Sequence, residues 1–364
     1  VAADGTFICT KPDNTGGIVN IGTVAEQMLY EIGDPQAYFL PDVVCDFSTA
    51  VLEQVAENRV RVSGATGQPA PDAYKVCGTY NDKFRGGVYL SMYGAEANLR
   101  AEALSAAVLR TASRELQRRS LGEFAETSVE IMGNESQYGA FRQIEQSREV
   151  IAKVAAKHEQ AAGIGVLLKA AAGLGLATPP GLSGFQGGRP KPSPVVRLFS
   201  FTLPKAALTP SIEVDGKLEV CPQPAGQAFD TNTIVRPDEP LVASATKAGS
   251  RVALQQLAWV RSGDKGNKAN IGVIARKPEY LPYIYAALTE AVVADRFAHF
   301  LEKSDAVERY LLPGSHAINF LLHDVLGGGG IASLRNDPQA KGYGQLLLEI
   351  EIPVPDTIAA QVQD

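Results

Sequence analysis

The sequence predicts an α+β protein: an α/β main region over residues 1–221, a linker over 222–249 and a split-βαβ unit over 250–355. Three observations carry that reading. Runs rich in β-branched residues alternate with runs of helical period. A proline-rich stretch from Cys221 to Gly249 interrupts both patterns. Beyond it the elements run ββαβαβ, the order of a split-βαβ sandwich with helices on one face of its sheet.

Thr23 and Glu26 have capping-box spacing, so "VAEQMLYEI" reads as a helix that stops at Gly33, ahead of Asp34-Pro35. Strands follow between Val43 and Met92: two around Glu57-Asn58, then "AYKVCGTY" and "GGVYLSMY" on either side of a turn at "NDKFR". The apolar stripe Leu99, Ala103, Ala107 and Val108 marks an amphipathic helix, and "ETSVEIMG" a strand. "EQSREVIAKVAAKHEQ" reads as a second long helix, with His158 solvated, running into the apolar stretch Ala161–Ala177. Lys169 in the middle of that stretch favours a buried or interfacial helix over a membrane span. Thr178 to Pro194 is too dense in glycine and proline for regular structure, and Asp215-Gly216 turns the hairpin "SIEVDGKLEV".

In the last unit "RVALQQLAWV", "ANIGVIAR" and "AVERYLLPG" read as strands. "PYIYAALTEAVVADRFAHFLEK" reads as a helix broken near Asp295, "HAINFLLHDVL" as a second helix, and "YGQLLLEIEIPV" as the closing strand.

The chain has 364 residues, 45% of them hydrophobic, and a formal net charge of −6, which argues against a broad nucleic-acid footprint. Four scattered cysteines with no CxxC pair give little support for a thiolate zinc site and fit a reducing compartment. Nothing in the opening stretch, which begins at Val1 rather than Met, reads as a signal peptide. The expected location is cytoplasmic, or the mitochondrial matrix in a eukaryote.

Chemistry concentrates in "RSGDKGNKAN". Gly263 and Gly266 free the backbone to turn its N–H groups into one concavity. Arg261 and Lys265 add charge, Asp264 can orient a cation or take a proton, and Asn267 and Asn270 offer amide donors. Such a set suits a carboxylate, phosphate or thioester oxygen; the bland alternative is a solvated turn. On the expected second helix, His316, Asn319 and His323 share a face, with the histidines as proton carriers. Ordinary packing or capping is the competing reading. Their spacing is not HExxH, so no metal site is assigned. Gly327–Gly330 admit a close backbone, Arg335 follows in a polar turn, and Asp13 and Asn14 sit in a ligand-like loop, "KPDNTGG". The residues specify no cofactor, and a divalent metal stays open.

Four long motifs, "DNTGGIVNIGTVAEQMLYEIGDPQAYFLPDVVCDF", "RVRVSGATGQPAPDAYKV", "RSGDKGNKANIGVIAR" and "LPGSHAINFLLHDVLGGGGIASLRNDPQAKGYGQ", resemble the acyclic terpene utilisation protein A family over nearly the whole chain. The resemblance implies an α/β main region followed by a ferredoxin-like C-terminal domain, and further α/β chain upstream of Val1 in family members. It implies catabolism of acyclic terpenes through acyl-CoA thioesters. It transfers no agreed reaction or catalytic residues. The expectation is therefore an enzyme of hydratase, dehydratase or lyase type acting on an acyl-CoA or carboxylate. Asp264, His316 and His323 would be catalytic. Arg261, Lys265, Asn267, Asn270, Asn319, Arg335, Asp13 and Asn14 would bind substrate. The alternative is a non-catalytic assembly subunit. A homo-oligomer is expected, without nucleic-acid or membrane partners.

Overall fold

The computed structural model describes residues 1–184, 188–241 and 249–362. The chain opens with β1 (Phe7–Thr10) and α1 (Ile21–Met28), then β2 (Tyr38–Phe39), β3 (Val44–Asp46), β4 (Val51–Ala56), β5 (Arg59–Ser63) and β6 (Thr66–Gln68). These strands form two small antiparallel sheets, β1-β5-β4 and β2-β3-β6. The cap of α1 is Asn20, not Thr23. Asn20 Oδ1 accepts from Thr23 N at 2.9 Å, and Thr23 Oγ1 accepts from Asn20 N at 3.0 Å. The helix also ends earlier than Gly33, because polar side chains from another sheet take over its last backbone groups.

β7 (Ala73–Tyr93) is one strand of 21 residues. The expected turn at "NDKFR" is absent; Lys83 at φ 70° only bends the strand there. α2 (Ala97–Arg118), β8 (Glu126–Met132), β9 (Glu149–His158), α3 (Ala161–Gly175), β10 (Leu182–Ser183) and β11 (Ser193–Pro204) follow. β10-β7-β9-β8 form one sheet, on which α2 and α3 pack. The first half of β7 leaves that sheet and pairs with β11 alone, as a two-stranded ribbon.

The expected helix at Glu149–His158 is this central strand β9. Its apolar residues are buried except Ile151, and its two lysines stand directly opposite glutamates of β8, Lys157 against Glu126 and Lys153 against Glu130. His158, expected in solvent, is fully buried beside Phe124. α3 buries one side, through Ile164, Val166, Leu167 and Ala171, and leaves Lys169 exposed, and no helix among the described residues is long and apolar enough to cross a membrane. Of the stretch Thr178 to Pro194, residues 185–187 lie outside the described residues; the rest includes β10 and the start of β11.

The hairpin of β12 (Ser211–Val214) and β13 (Lys217–Val220) turns at Asp215-Gly216 as expected. Of the linker 222–249, residues 242–248 lie outside the described residues, and the remainder is irregular apart from a short 3-10 turn at Thr231–Thr233.

The last unit comprises β14 (Ser250–Ala253), α4 (Leu254–Leu257), β15 (Ala258–Lys265), β16 (Lys268–Ala275), α5 (Leu281–Ala287), α6 (Glu290–Arg296), β17 (Val307–Leu312), β18 (Ala317–Leu322), α7 (Tyr343–Leu347), β19 (Glu351–Val354) and α8 (Asp356–Val362). β15-β16-β18-β17 form an antiparallel sheet, and β14 pairs with β19. The first expected strand is split by the single turn α4. The long helix breaks at Leu288-Thr289, where Thr289 caps α6, rather than at Asp295. "YGQLLLEIEIPV" is α7 followed by β19.

The largest correction is "HAINFLLHDVL". Residues 317–322 are β18, buried on both faces. One face covers the apolar core under α5–α8. The other receives α1: Ala25 and Leu29 pack on Ile274, Leu312 and Ala317. The close approach requires glycine, since a methyl group at Gly272 would lie 2.7 Å from Leu29 Cβ.

Candidate functional site

β15 and β16 are joined by a two-residue turn, Gly266-Asn267, with Gly266 at φ 70°. A cleft of about 1130 Å³ opens at this end of the sheet. One wall is the turn itself, Asp264 to Lys268, with the glycine loop 328–330. The opposite wall is the β7–β11 ribbon, which contributes Lys75, Leu198 and Ser200. Glu308 and Tyr310 of β17, with His323 just beyond β18, form the floor. Asp34 and Arg236 close one side.

Lys265 is the central cation. Burial, then the nearby ammonium of Lys75, lowers its pKa below the ordinary 10.5, against the pull of Glu31 and Asp264. Its Nζ lies 5.3 Å from the ring centre of Tyr38. Among the described residues neither Lys265 nor Lys75 has a carboxylate within 4.0 Å. Asp264 accepts from Gln339 Nε2 at 3.3 Å and lies 3.8 Å from Lys341 Nζ. Asn267 holds the glycine loop in place: its Oδ1 accepts from Gly328 N at 2.8 Å and its Nδ2 donates to Asp324 at 3.0 Å. Gly327, Gly328 and Gly329 all have positive φ, so the loop can fold back on the turn.

The structure thus brings Asp264, Lys265, Asn267 and His323 to one cleft, and separates them from the other expected site residues. Arg261 stacks on Tyr30 at 4.6 Å, outside the cleft lining. Four residues along an extended strand separate it from Lys265 by about 13 Å, so the two cannot share one small anion. Asn270 and Asn319 are buried in the sheet, and their amides are committed to the backbone just past α1, Leu29 to Gly33. Asn270 donates to Leu29 O at 2.6 Å and accepts from Glu31 N at 2.8 Å. Asn319 donates to Ile32 O at 3.1 Å and Gly33 O at 2.7 Å.

His316 and His323 flank a strand instead of sharing a helix face. Seven extended residues place them about 23 Å apart, against about 10 Å on a helix. His316 is exposed at the far end of the sheet, in a left-handed conformation (φ 52°). Arg335 donates to Val325 O and to Phe300 O, and stacks on the Phe300 ring at 4.8 Å. It braces the glycine loop from behind. Asp13 and Asn14 lie in an exposed loop secured by the Lys11–Thr15 contact at 2.7 Å, outside the cleft lining.

Sequence reasoning missed the groups that complete the cleft. Tyr310 donates to Glu308 Oε2 at 2.7 Å, and His323 Nε2 lies 3.1 Å from the same oxygen. Burial works to raise the Glu308 pKa, but the Tyr310 and His323 hydrogens bring it below the ordinary 4.5. Burial and the Glu308 carboxylate raise the Tyr310 phenol, so it stays a donor. Arg236 grips Asp34 through two bonds of 2.8 and 2.6 Å and covers the Tyr310 ring at 5.2 Å. The Glu308-Tyr310 pair was visible as an i, i+2 spacing on a strand, which puts both side chains on one face. Lys75 and Arg236 come from distant segments and left no local signal. Among the described residues no cluster of three or more His, Cys, Asp or Glu side chains has the geometry to hold a metal ion.

Comparison with curated proteins and with solved structures gave no match. Two family profiles do match. One, described as "Acyclic terpene utilisation family protein AtuA", covers residues 1–214; the other, the "AtuA ferredoxin-like domain", covers residues 252–353. The first match begins at residue 1 and so does not bear on an upstream region. The second spans the β15-β16-β18-β17 sheet and helices α4 to α7. The chain belongs to the acyclic terpene utilisation AtuA family and carries that family's ferredoxin-like domain.

Proposed function

We propose that the cleft binds a small carboxylate or acyl thioester and catalyses a proton-transfer reaction on it, of hydratase, dehydratase or lyase type. One observation carries the proposal: Lys265 and Lys75 line the same cleft, near enough for the Lys75 charge to lower the Lys265 pKa, neither has a carboxylate within 4.0 Å among the described residues, and His323, Glu308 and Tyr310 line that cleft too. Two unneutralised ammonium groups in a half-buried cleft are an anion site in search of its anion. The bound carbonyl or carboxylate oxygen takes its charge from the lysines. His323, in contact with Glu308, is the base or acid at the adjacent carbon, and Tyr310 is a protonated donor on the same floor. Asp264 and Asn267 keep the turn and the glycine loop in register around the ligand. Neither His316, Arg261, Arg335, Asp13 nor Asn14 enters this scheme, and Asn270 and Asn319 act only through the fold.

The test has two parts. Calorimetric titration with a panel of acyl-CoAs and free carboxylates should give saturable binding, weakened about ten- to a hundredfold by Lys265→Ala or Lys75→Ala. NMR in D2O should then detect exchange of protons beside the bound carbonyl, lost in His323→Ala. Binding untouched by the lysine changes refutes the anion site.

A second reading, a non-catalytic assembly subunit, draws on exposed apolar side chains of the ribbon and hairpin, Phe199, Phe201 and Leu218 among them. It predicts no binding anywhere in the panel. The alanine-glycine helix gives it no support, since α3 is packed against α2 and the β7–β9 sheet.

A further inference from the structure

Among the described residues the β12–β13 hairpin pairs with no other strand. It forms a two-stranded sheet by itself, and all eight of its strand residues are exposed. A lone hairpin is marginally stable in water, and a bare apolar edge strand is a template for pairing. Here Ile212 and Val214 project from one face and Leu218 and Val220 from the other, each between 52% and 70% exposed. Lys217 and Glu219 have no ion-pair partner among the described residues.

We infer that β13 is a self-association edge whose partner is β13 of a second copy of this chain, paired antiparallel about a two-fold axis at Leu218. The register makes the strand its own complement. Leu218 meets Leu218 of the other copy, Lys217 meets Glu219, and Glu219 meets Lys217. Directly opposed residues of an antiparallel pair share a face, so both charge pairs fall on one side of the joined sheet and the leucines on the other. An isologous two-fold contact needs such self-complementarity, and K-L-E supplies it in three residues.

Sedimentation velocity on the full chain at micromolar concentration tests the pairing. The wild type should be a dimer. Lys217→Glu alone and Glu219→Lys alone should each weaken self-association about tenfold or more, because symmetry repeats the like-charge contact twice. An equimolar mixture of the two single variants should recover the dimer, since each then meets its opposite charge. These side chains are exposed, so far-UV circular dichroism should be unchanged. A monomeric wild type overturns the inference, whether the hairpin is bare or serves a different protein. So do single reversals that leave association intact, or a mixture that fails to recover it.

Discussion

The hydroxyl of Tyr310 donates to Oε2 of Glu308 at 2.7 Å, two residues apart on one face of β17. Against burial, this bond and the His323 contact hold the Glu308 pKa below 4.5. Removing the donor in Tyr310→Phe leaves burial less opposed, so the Glu308 pKa should rise. Carbon-13 NMR of the carboxyl group reads this directly. A depressed carboxyl pKa stabilises the fold above the unfolded value, and that stability is lost as pH falls through the folded value. Urea unfolding should therefore separate wild type from Tyr310→Phe at pH 7, with the carboxylate-linked part of the gap closing on acidification below 4.5.

Lys265 titrates in the opposite sense. Its lowered pKa means that the fold disfavours its cation, so stability rises as pH rises through the folded value. Binding of an anion follows the cation and falls over the same window. Calorimetry across alkaline pH should show affinity dropping with an inflection below 10.5. Lys75→Ala removes a like charge, so it should move that inflection upward while lowering the affinity at neutral pH.

Asn270 and Asn319 should behave as structural residues. Asn270→Ala strands the Leu29 carbonyl, the Glu31 backbone N–H and the side-chain oxygen Oδ1 of Asn319. Each buried orphan costs about 1–3 kcal/mol. Chemical unfolding should show a loss of at least that size. Any ligand affinity measured well below the unfolding midpoint should stay within about twofold of wild type, a shift worth less than RT ln 10.

Gly272→Ala tests how tightly α1 is seated. The added methyl would stand 2.7 Å from Leu29 Cβ, and the helix has no room to yield without moving its other contacts. Overpacking of this kind costs about 1–3 kcal/mol. Hydrogen exchange should quicken in residues 21–33 more than in α2. Equal protection in the two helices would count against the packing described.

The split-βαβ unit and the hairpin at Asp215-Gly216 were legible because each has a local pattern. So was α2 as a helix, but not its buried face: Leu99 and Ala103 of the expected stripe are exposed, and Ala101, Leu104, Val108, Ala112 and Leu116 pack instead. β9 and β18 were not. Both are buried on two faces, so they carry apolar residues without alternation, and such a run reads equally as a buried helix. In β9 the lysines at 153 and 157 sharpened the error, since a spacing of four returns to the same face in a helix and in a strand alike. Only the glutamates facing them on β8 settle the matter, and those lie in another segment. The same confusion placed His316 beside His323, when a strand sets them at opposite ends of the sheet. Of the site, the loop Asp264–Asn267 was legible through its glycine and charge content. Its neighbours Lys75, Arg236 and Glu308 converge from across the chain, and no window of sequence contains them together.

Helix α1 belongs to the segment matched by the first family profile, yet it lies on the sheet of the second, and the backbone just past its end, Leu29 to Gly33, is held by Asn270 and Asn319. The two segments are therefore not interchangeable parts. A chimera that borrows the C-terminal unit from a relative must borrow residues 20–33 with it, or re-cut the glycine seat at 272 to fit a foreign helix. Recombination experiments with crossovers placed in the irregular 222–241 stretch should yield folded proteins only when that short N-terminal piece travels with its distant bed.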